Sequence, residues 1–195
     1  ENNVLYYLIF SLIGISIINF INFMDGIDGL VCGSFIVLLF ILNPSKNEFY
    51  PLIGALLGFS KLNWDSSKIF MGDAGSLFLG SFIVSILFKS NNSIDFIKIL
   101  LLMTPLIIDP FITIIRRIGT SQRIFSAHKL HLYQRLVSNG LSHSQVSLIY
   151  ILSIFFLGIF YKFSSVIYLS IASLLIILLG VFLDKKFALR FHQKN

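Results

Sequence analysis

The stretch Asn19 to Leu30, NFINFMDGIDGL, decides how this chain is read. Asn19, Asn22, Asp25 and Asp28 recur every third residue, and Gly26 and Gly29 each follow an Asp directly. Apolar runs flank the motif on both sides. Ionisable groups beside membrane-length apolar segments are expensive and mark function by default. On an α-helix a three-residue step turns each group back by about 60°, and a 3₁₀ turn stacks them. The spacing therefore predicts four polar groups sharing one face, with glycines that let the backbone open or approach a ligand. The competing reading is a cap or turn at a helix end, where Asn, Asp and Gly are common. Two Asp-Gly pairs in register with two Asn favour function.

The chain has 195 residues, of which 56% are hydrophobic and 12% charged, with 21 Phe. A soluble domain carries about 25% charged residues, so most of this surface must face lipid or other protein. The net charge of +6 is expected to meet anionic lipid at the cytoplasmic ends of helices rather than nucleic acid. Cys32 is alone, which excludes an internal disulfide and a thiolate metal cluster and leaves it as a small apolar helix residue.

Working outward, seven apolar segments are expected: Val4–Phe23, Leu30–Leu42, Tyr50–Leu62, Ser76–Phe88, Phe96–Ile115, Val146–Tyr161 and Ser164–Leu183. A span needs about 20 apolar residues. The first, fifth and seventh meet that, while the second, third and fourth are short. Short spans beside glycine-containing polar loops suggest broken or re-entrant helices around a wet cavity. The expected fold is an all-α polytopic membrane bundle of about seven transmembrane segments, some broken or short. Alternating crossings place 11 of the 15 Lys and Arg on one side. Positive residues favour the cytoplasm, so that side is expected to be cytoplasmic, with Glu1 outside and Asn195 inside. All three polar motifs then fall on the cytoplasmic side: Asn19–Gly29, Asn63–Ser76 and Arg116–Ser144.

The second motif is FMGDAGS, Phe70 to Ser76. Glycines on both sides leave Asp73 unobstructed, and Ala74 to Ser76 would form a first helical turn whose free N–H groups favour phosphate. Mg²⁺ is usually held by one or two carboxylates plus substrate phosphates, so Asp73 suits that role; its other reading is a plain N-cap. Trp64 and Asp65 are assigned to solvent or interface anchoring. Asp109 lies deep in the fifth segment between Pro105 and Pro110, which are expected to kink or break the helix. It either lines a cavity or links to Thr113 and a neighbouring Arg. The third motif, AHKLHLYQRL from Ala127 to Leu136, gathers His128, His131, Gln134 and Arg135. On a helix His128 and His131 share a face, as do His131 and Arg135. Such donors grip a diphosphate; otherwise the segment is an amphipathic membrane-surface element. His143 and His192 read as surface residues.

Together NFINFMDGIDGL, FMGDAGSL, DPFITIIRR and HLYQRL resemble the polyprenyl-phosphate N-acetylhexosamine-1-phosphate transferases, multi-span enzymes that start cell-surface glycan assembly. The likeness runs from about Val4 to about Tyr150, and the form AHKLHLYQRL looks like the branch acting in O-antigen and related surface polysaccharides. The resemblance implies transfer of a sugar-1-phosphate from a UDP-sugar to polyprenyl phosphate with release of UMP, dependent on Mg²⁺ or alternatively Mn²⁺, at the cytoplasmic face of the inner or plasma membrane. It implies that Asp73 is the metal ligand and that Asn22, Asp25 and Asp28 serve the nucleotide part of the donor. Phe70 would stack on uracil, and His128, His131, Gln134 and Arg135 would bind substrate. A homodimer is a further implied partner. Two features depart from the family: Tyr133 and Gln134 stand where many members have further His, and no Asp-Asp pair occurs.

The rival functions are weaker. A CDP-alcohol phosphatidyltransferase needs Ala-Arg soon after its first Asp-Gly, whereas Leu-Val-Cys follows Asp28-Gly29. A transporter would carry polar groups near the midplane and on both sides. Since residue 1 is Glu and the chain enters a span almost at once, residues 1–183 are expected to be the transmembrane catalytic region of a longer enzyme, inactive alone. Residues 184–195 are expected to be a basic cytoplasmic tail.

Overall fold

A computed structural model describes residues 2–43, 48–64, 66–120, 122, 128–163 and 165–191. Among them are nine helices and no strand: α1 (Asn2–Met24), α2 (Leu30–Leu42), α3 (Tyr50–Asn63), α4 (Gly72–Phe88), α5 (Ser93–Leu102), α6 (Thr104–Gly119), α7 (Leu132–Ser138), α8 (His143–Phe163) and α9 (Val166–Lys186). The fold is the all-α membrane bundle expected from composition. Among the described residues α1, α8 and α9 are long and apolar enough to cross a membrane, with a fourth span if α5 and α6 count as one. The apolar α2 and α4 are shorter. The sixth segment is longer than its apolar run, because α8 starts at His143 and ends at Phe163.

The fifth segment is not one helix. Helices α5 and α6 meet at a bend of 75°, with Met103 between them. Proline at the start of a helix removes an N–H that has no intrahelical partner there, and Pro105 occupies such a position in α6. The chain therefore ends one helix and begins another. Pro110 is accommodated inside α6.

Helix α1 packs along α4, α2 is held between α3 and α8, and α9 covers α5 and α6. Phe35, Leu38, Leu39, Ile83, Leu87 and Leu102 are fully buried at the centre. In lipid, helices associate through close van der Waals packing, which favours small residues at contacts. Gly80 does this for the pair that carries the first two motifs: a Cβ there would lie 2.9 Å from the Ile18 Cα. Conversely, Val4, Leu8 and Leu12 of α1 and Leu174, Leu175 and Leu178 of α9 are exposed, as surfaces meeting acyl chains should be.

Candidate active site

The ends of α1, α4 and α7 converge. Asn22, in the last turn of α1, donates through Nδ2 to Asp73 Oδ1 at 3.0 Å and to Ser76 Oγ at 2.9 Å. Asp73 stands in the first turn of α4, whose N-cap is Met71, so it is not a cap and its side chain is exposed beside free helix N–H groups. Asp25 occupies the turn directly after α1. Burial pushes its carboxyl up to about 7; the Asp73 charge adds to the rise and the Gly72 backbone N–H opposes it. The start of α4 thus brings together two carboxylates that repel each other. Among the described residues no three His, Cys, Asp or Glu are grouped to hold a metal.

The expected single polar face across Asn19–Asp28 does not form. Helix α1 ends at Met24, and the chain then turns. Asn19 is exposed and donates to the Ile15 carbonyl of its own helix at 2.9 Å. Asn22 bonds Asp73 and Asp25 meets the Gly72 backbone N–H, while Asp28 is directed elsewhere. His143 Nδ1 lies 3.0 Å from Asp28 Oδ2, Ser147 Oγ donates to the Asp28 carbonyl at 2.7 Å, and the Ser67 N–H approaches the carboxylate at 3.5 Å. Burial, the largest influence, raises the Asp28 carboxyl, but Ser67 and His143 outweigh it and hold the group below its usual value.

Gly29 N-caps α2 with φ of 75°, a left-handed conformation in which other residues are strained. Its N–H donates to Asn63 Oδ1 at 3.1 Å, and Asn63 Nδ2 donates to the Ile69 carbonyl at 2.9 Å. Asn63 thus fastens the residue after Asp28 to the residue before Phe70. Phe70 itself is 75% exposed, with its ring available to a ligand. Trp64, expected at an interface, instead packs on Gly29, where a Cβ would overlap its ring. Asp65 lies outside the described residues.

The third motif is a cap, not a helical face. His131 is the extended N-cap of α7, with its N–H donating to Gln134 Oε1 at 3.2 Å. Residues 128–130 are irregular, so His128 and His131 do not share a helix side, although their rings lie 5.0 Å apart. The His131 ring stacks on Phe23 and on Tyr133. Tyr133 Oη donates to the Phe23 carbonyl at 2.8 Å and fills the space where Gly26 has no side chain. Burial, with the charges of Asp109 and Asp25, raises the Tyr133 phenol above its usual value, so it remains a donor.

Asp109 anchors this segment. It accepts from the Leu132 N–H at 2.8 Å, the Tyr133 N–H at 3.2 Å, Tyr150 Oη at 2.8 Å and Thr113 Oγ1 at 3.3 Å. The link to Thr113 is the expected one; the expected Arg partner is replaced by the N-terminus of α7, where a carboxylate complements free N–H groups. Arg135 points away from Asp25 and Asp73. Its guanidinium pairs with Asp184 and donates to the Leu130 and Leu189 carbonyls at 3.0 and 2.7 Å, while Arg116 reaches the same Asp184 at 2.5 Å. Helix α9 continues to Lys186, and residues 184–189 are docked on α7 through these contacts. An apolar cleft between α6, α8 and α9 passes Asp109 and ends at Arg116 and Asp184; Asp25, Asp28, Phe70 and Asp73 do not line it. His143, read as a surface residue, is an Asp28 partner; His192 lies outside the described residues.

The profile of glycosyl transferase family 4 matches residues 1–91, which carry the first two motifs. Over those residues the chain is similar to glycosyl transferase family 4. Similar proteins include a probable undecaprenyl-phosphate N-acetylglucosaminyl 1-phosphate transferase of Bacillus subtilis, 36% identical over 121 residues, covering 60% of this chain and 32% of that protein. A decaprenyl-phosphate N-acetylglucosaminephosphotransferase of Mycobacterium leprae is 31% identical over 123 residues, covering 52% and 31%. A phospho-N-acetylmuramoyl-pentapeptide-transferase of Helicobacter hepaticus is 38% identical over 84 residues, covering 41% and 22%. The matched region thus spans a third or less of the length of these family relatives. No solved structure matches significantly.

Proposed function

We propose that this chain carries the phosphoryl-transfer centre of an enzyme moving an N-acetylhexosamine-1-phosphate from a UDP-sugar to a polyprenyl phosphate in the plasma membrane, with the site facing the cytoplasm. The observation that carries the reading is the junction of α1 and α4, where Asn22 aligns Asp73 and Ser76 beside Asp25. Balanced as a reaction, an oxygen of the acceptor phosphate attacks the sugar-bearing phosphorus of the donor. The bond from that phosphorus to the bridging oxygen breaks, and UMP leaves with the electron pair. Catalysis of this kind is positioning plus neutralisation of charge.

Asp73 and Asp25 would hold Mg²⁺, or Mn²⁺ in its place; the ion would neutralise charge on the diphosphate and on the departing UMP. Asn22 keeps Asp73 in place through its side-chain amide. Phe70 offers an exposed ring for uracil to stack on, and Asp28 serves the nucleoside end. His131, buried against Phe23 and Tyr133 with its Nδ1 3.7 Å from Asp109, acts by fixing the segment, and His128 beside it supplies a donor toward the diphosphate. Gln134 and Arg135 act indirectly by fixing α7. The test is to incubate membranes containing the complete protein with labelled UDP-N-acetylhexosamines and undecaprenyl phosphate. A lipid-linked diphosphate sugar formed together with UMP is the expected result; neither product forming with any UDP-sugar overturns the reading.

A further inference from the structure

We propose that His143 is a further donor-binding residue, held by Asp28 so that its outer ring nitrogen contacts the uridine of the nucleotide sugar. This rests on the transferase reading above. The imidazole belongs to the first residue of α8, and its side chain is 41% exposed while that of Asp28 is 12% exposed. Nδ1 lies 3.0 Å from Asp28 Oδ2 and 3.4 Å from the Asp28 backbone nitrogen. It cannot donate to the first and accept from the second at once. The shorter contact, to a carboxylate, is the stronger, so Nδ1 directs a proton at Asp28 and Nε2 is left for a ligand. Among the described residues no contact to Nε2 is present.

The fold does not require this imidazole. Helix α8 is already capped by Ser142 and Gln145, which exchange hydrogen bonds of 2.9 and 3.2 Å. It is already tied to the first motif by Ser147, which donates to the Asp28 carbonyl. A third link through a half-exposed ring adds little anchoring, but it fixes the ring's tautomer and direction. Asn63 fastens Gly29 to Ile69 and so holds the segment of Asp28, which carries the His143 contact, beside the segment of Phe70. Uridine offers Nε2 hydrogen-bonding groups in the ribose hydroxyls, which both donate and accept, and along the edge of uracil.

The experiment compares wild type with His143→Asn in detergent-solubilised protein. Asn keeps a side-chain N–H for Asp28 but has no atom at the Nε2 position. Binding of UDP and of inorganic pyrophosphate is measured, with the melting temperature as a control for folding. The expected result is UDP binding weakened about tenfold, as for one lost hydrogen bond, with pyrophosphate binding and melting unchanged. Wild-type UDP affinity in the variant, or equal weakening of UDP and pyrophosphate, overturns the role of His143 while leaving the transferase reading intact. A lowered melting temperature assigns the residue to the fold and overturns it likewise. Failure of the wild-type protein to bind UDP overturns both.

Discussion

At the residue scale, Asp73 is the group on which the chemistry should depend most directly. It is exposed, unencumbered by a capping role, and held from one side by the Asn22 amide. Asp73→Asn preserves size and hydrogen bonding but removes the charge that attracts a cation. The expected outcome is a fall in transfer rate of about 100-fold or more, the order seen when an electrostatic contributor is removed. Folded yield by size exclusion should be unchanged, and near-normal turnover at ordinary Mg²⁺ would remove Asp73 from the site. Asp25 yields a pH prediction. Its carboxyl rises from 3.8 to about 7 in the folded protein, so near neutrality a bound cation must displace its proton. Cation affinity should therefore increase with pH up to about 7 and level off above it, measured by titrating Mn²⁺ at several pH values. The same group makes the fold less stable as pH rises from 3.8 to about 7, because over that window the unfolded chain ionises there and the folded one does not.

At the element scale, the short helix α7 depends on its clamp. Seven residues are too few to be helical alone, and α7 is fixed at its start by Asp109 and farther on by Arg135 and Asp184. Asp109→Ala leaves the Leu132 and Tyr133 N–H groups and the Tyr150 hydroxyl unpaired in a buried place, each costing about 1–3 kcal/mol. The variant should melt at a markedly lower temperature and bind donor poorly, since His131 and Tyr133 lose their seat on Phe23 and Gly26. Unchanged melting would show that α7 is held mainly by its apolar contacts. The break at Met103 is part of the same design: it turns α6 by 75° from α5 and sets the direction from which Asp109 meets α7.

At the scale of the whole molecule, the site exists because helices distant in sequence meet at one end of the bundle. The close approach of α1 and α4 at Gly80 and Ile18 sets the separation of Asn22 from Ser76 and Asp73, about one and two turns away. Gly80→Leu forces the two backbones apart, since even a Cβ lies 2.9 Å from the Ile18 Cα. Overpacking of this kind costs about 1–3 kcal/mol. The expected outcome is lower melting together with lost transfer activity; full activity in the variant would show that the α1–α4 spacing does not govern the site.

The amino-acid sequence alone determined the membrane class, the all-α fold, the helix boundaries at α2 and α4 to within a few residues, and the segments that carry chemistry. Those properties follow from local composition: apolar runs must be helical in lipid, and carboxylates beside them need a purpose. Only the tertiary structure decided which polar group faces which. The regular spacing of Asn19, Asn22, Asp25 and Asp28 suggested one shared face, but α1 ends at Met24, leaving Asp25 under the charge of Asp73, 48 residues on, and Asp28 paired with His143, 115 residues on. Arg135 read as a phosphate ligand from its neighbours in the chain, yet its partner Asp184 comes from α9. The reason is physical: periodicity reports the direction of a side chain on its own helix, whereas pairing depends on crossing angles and helix ends set by packing across the bundle.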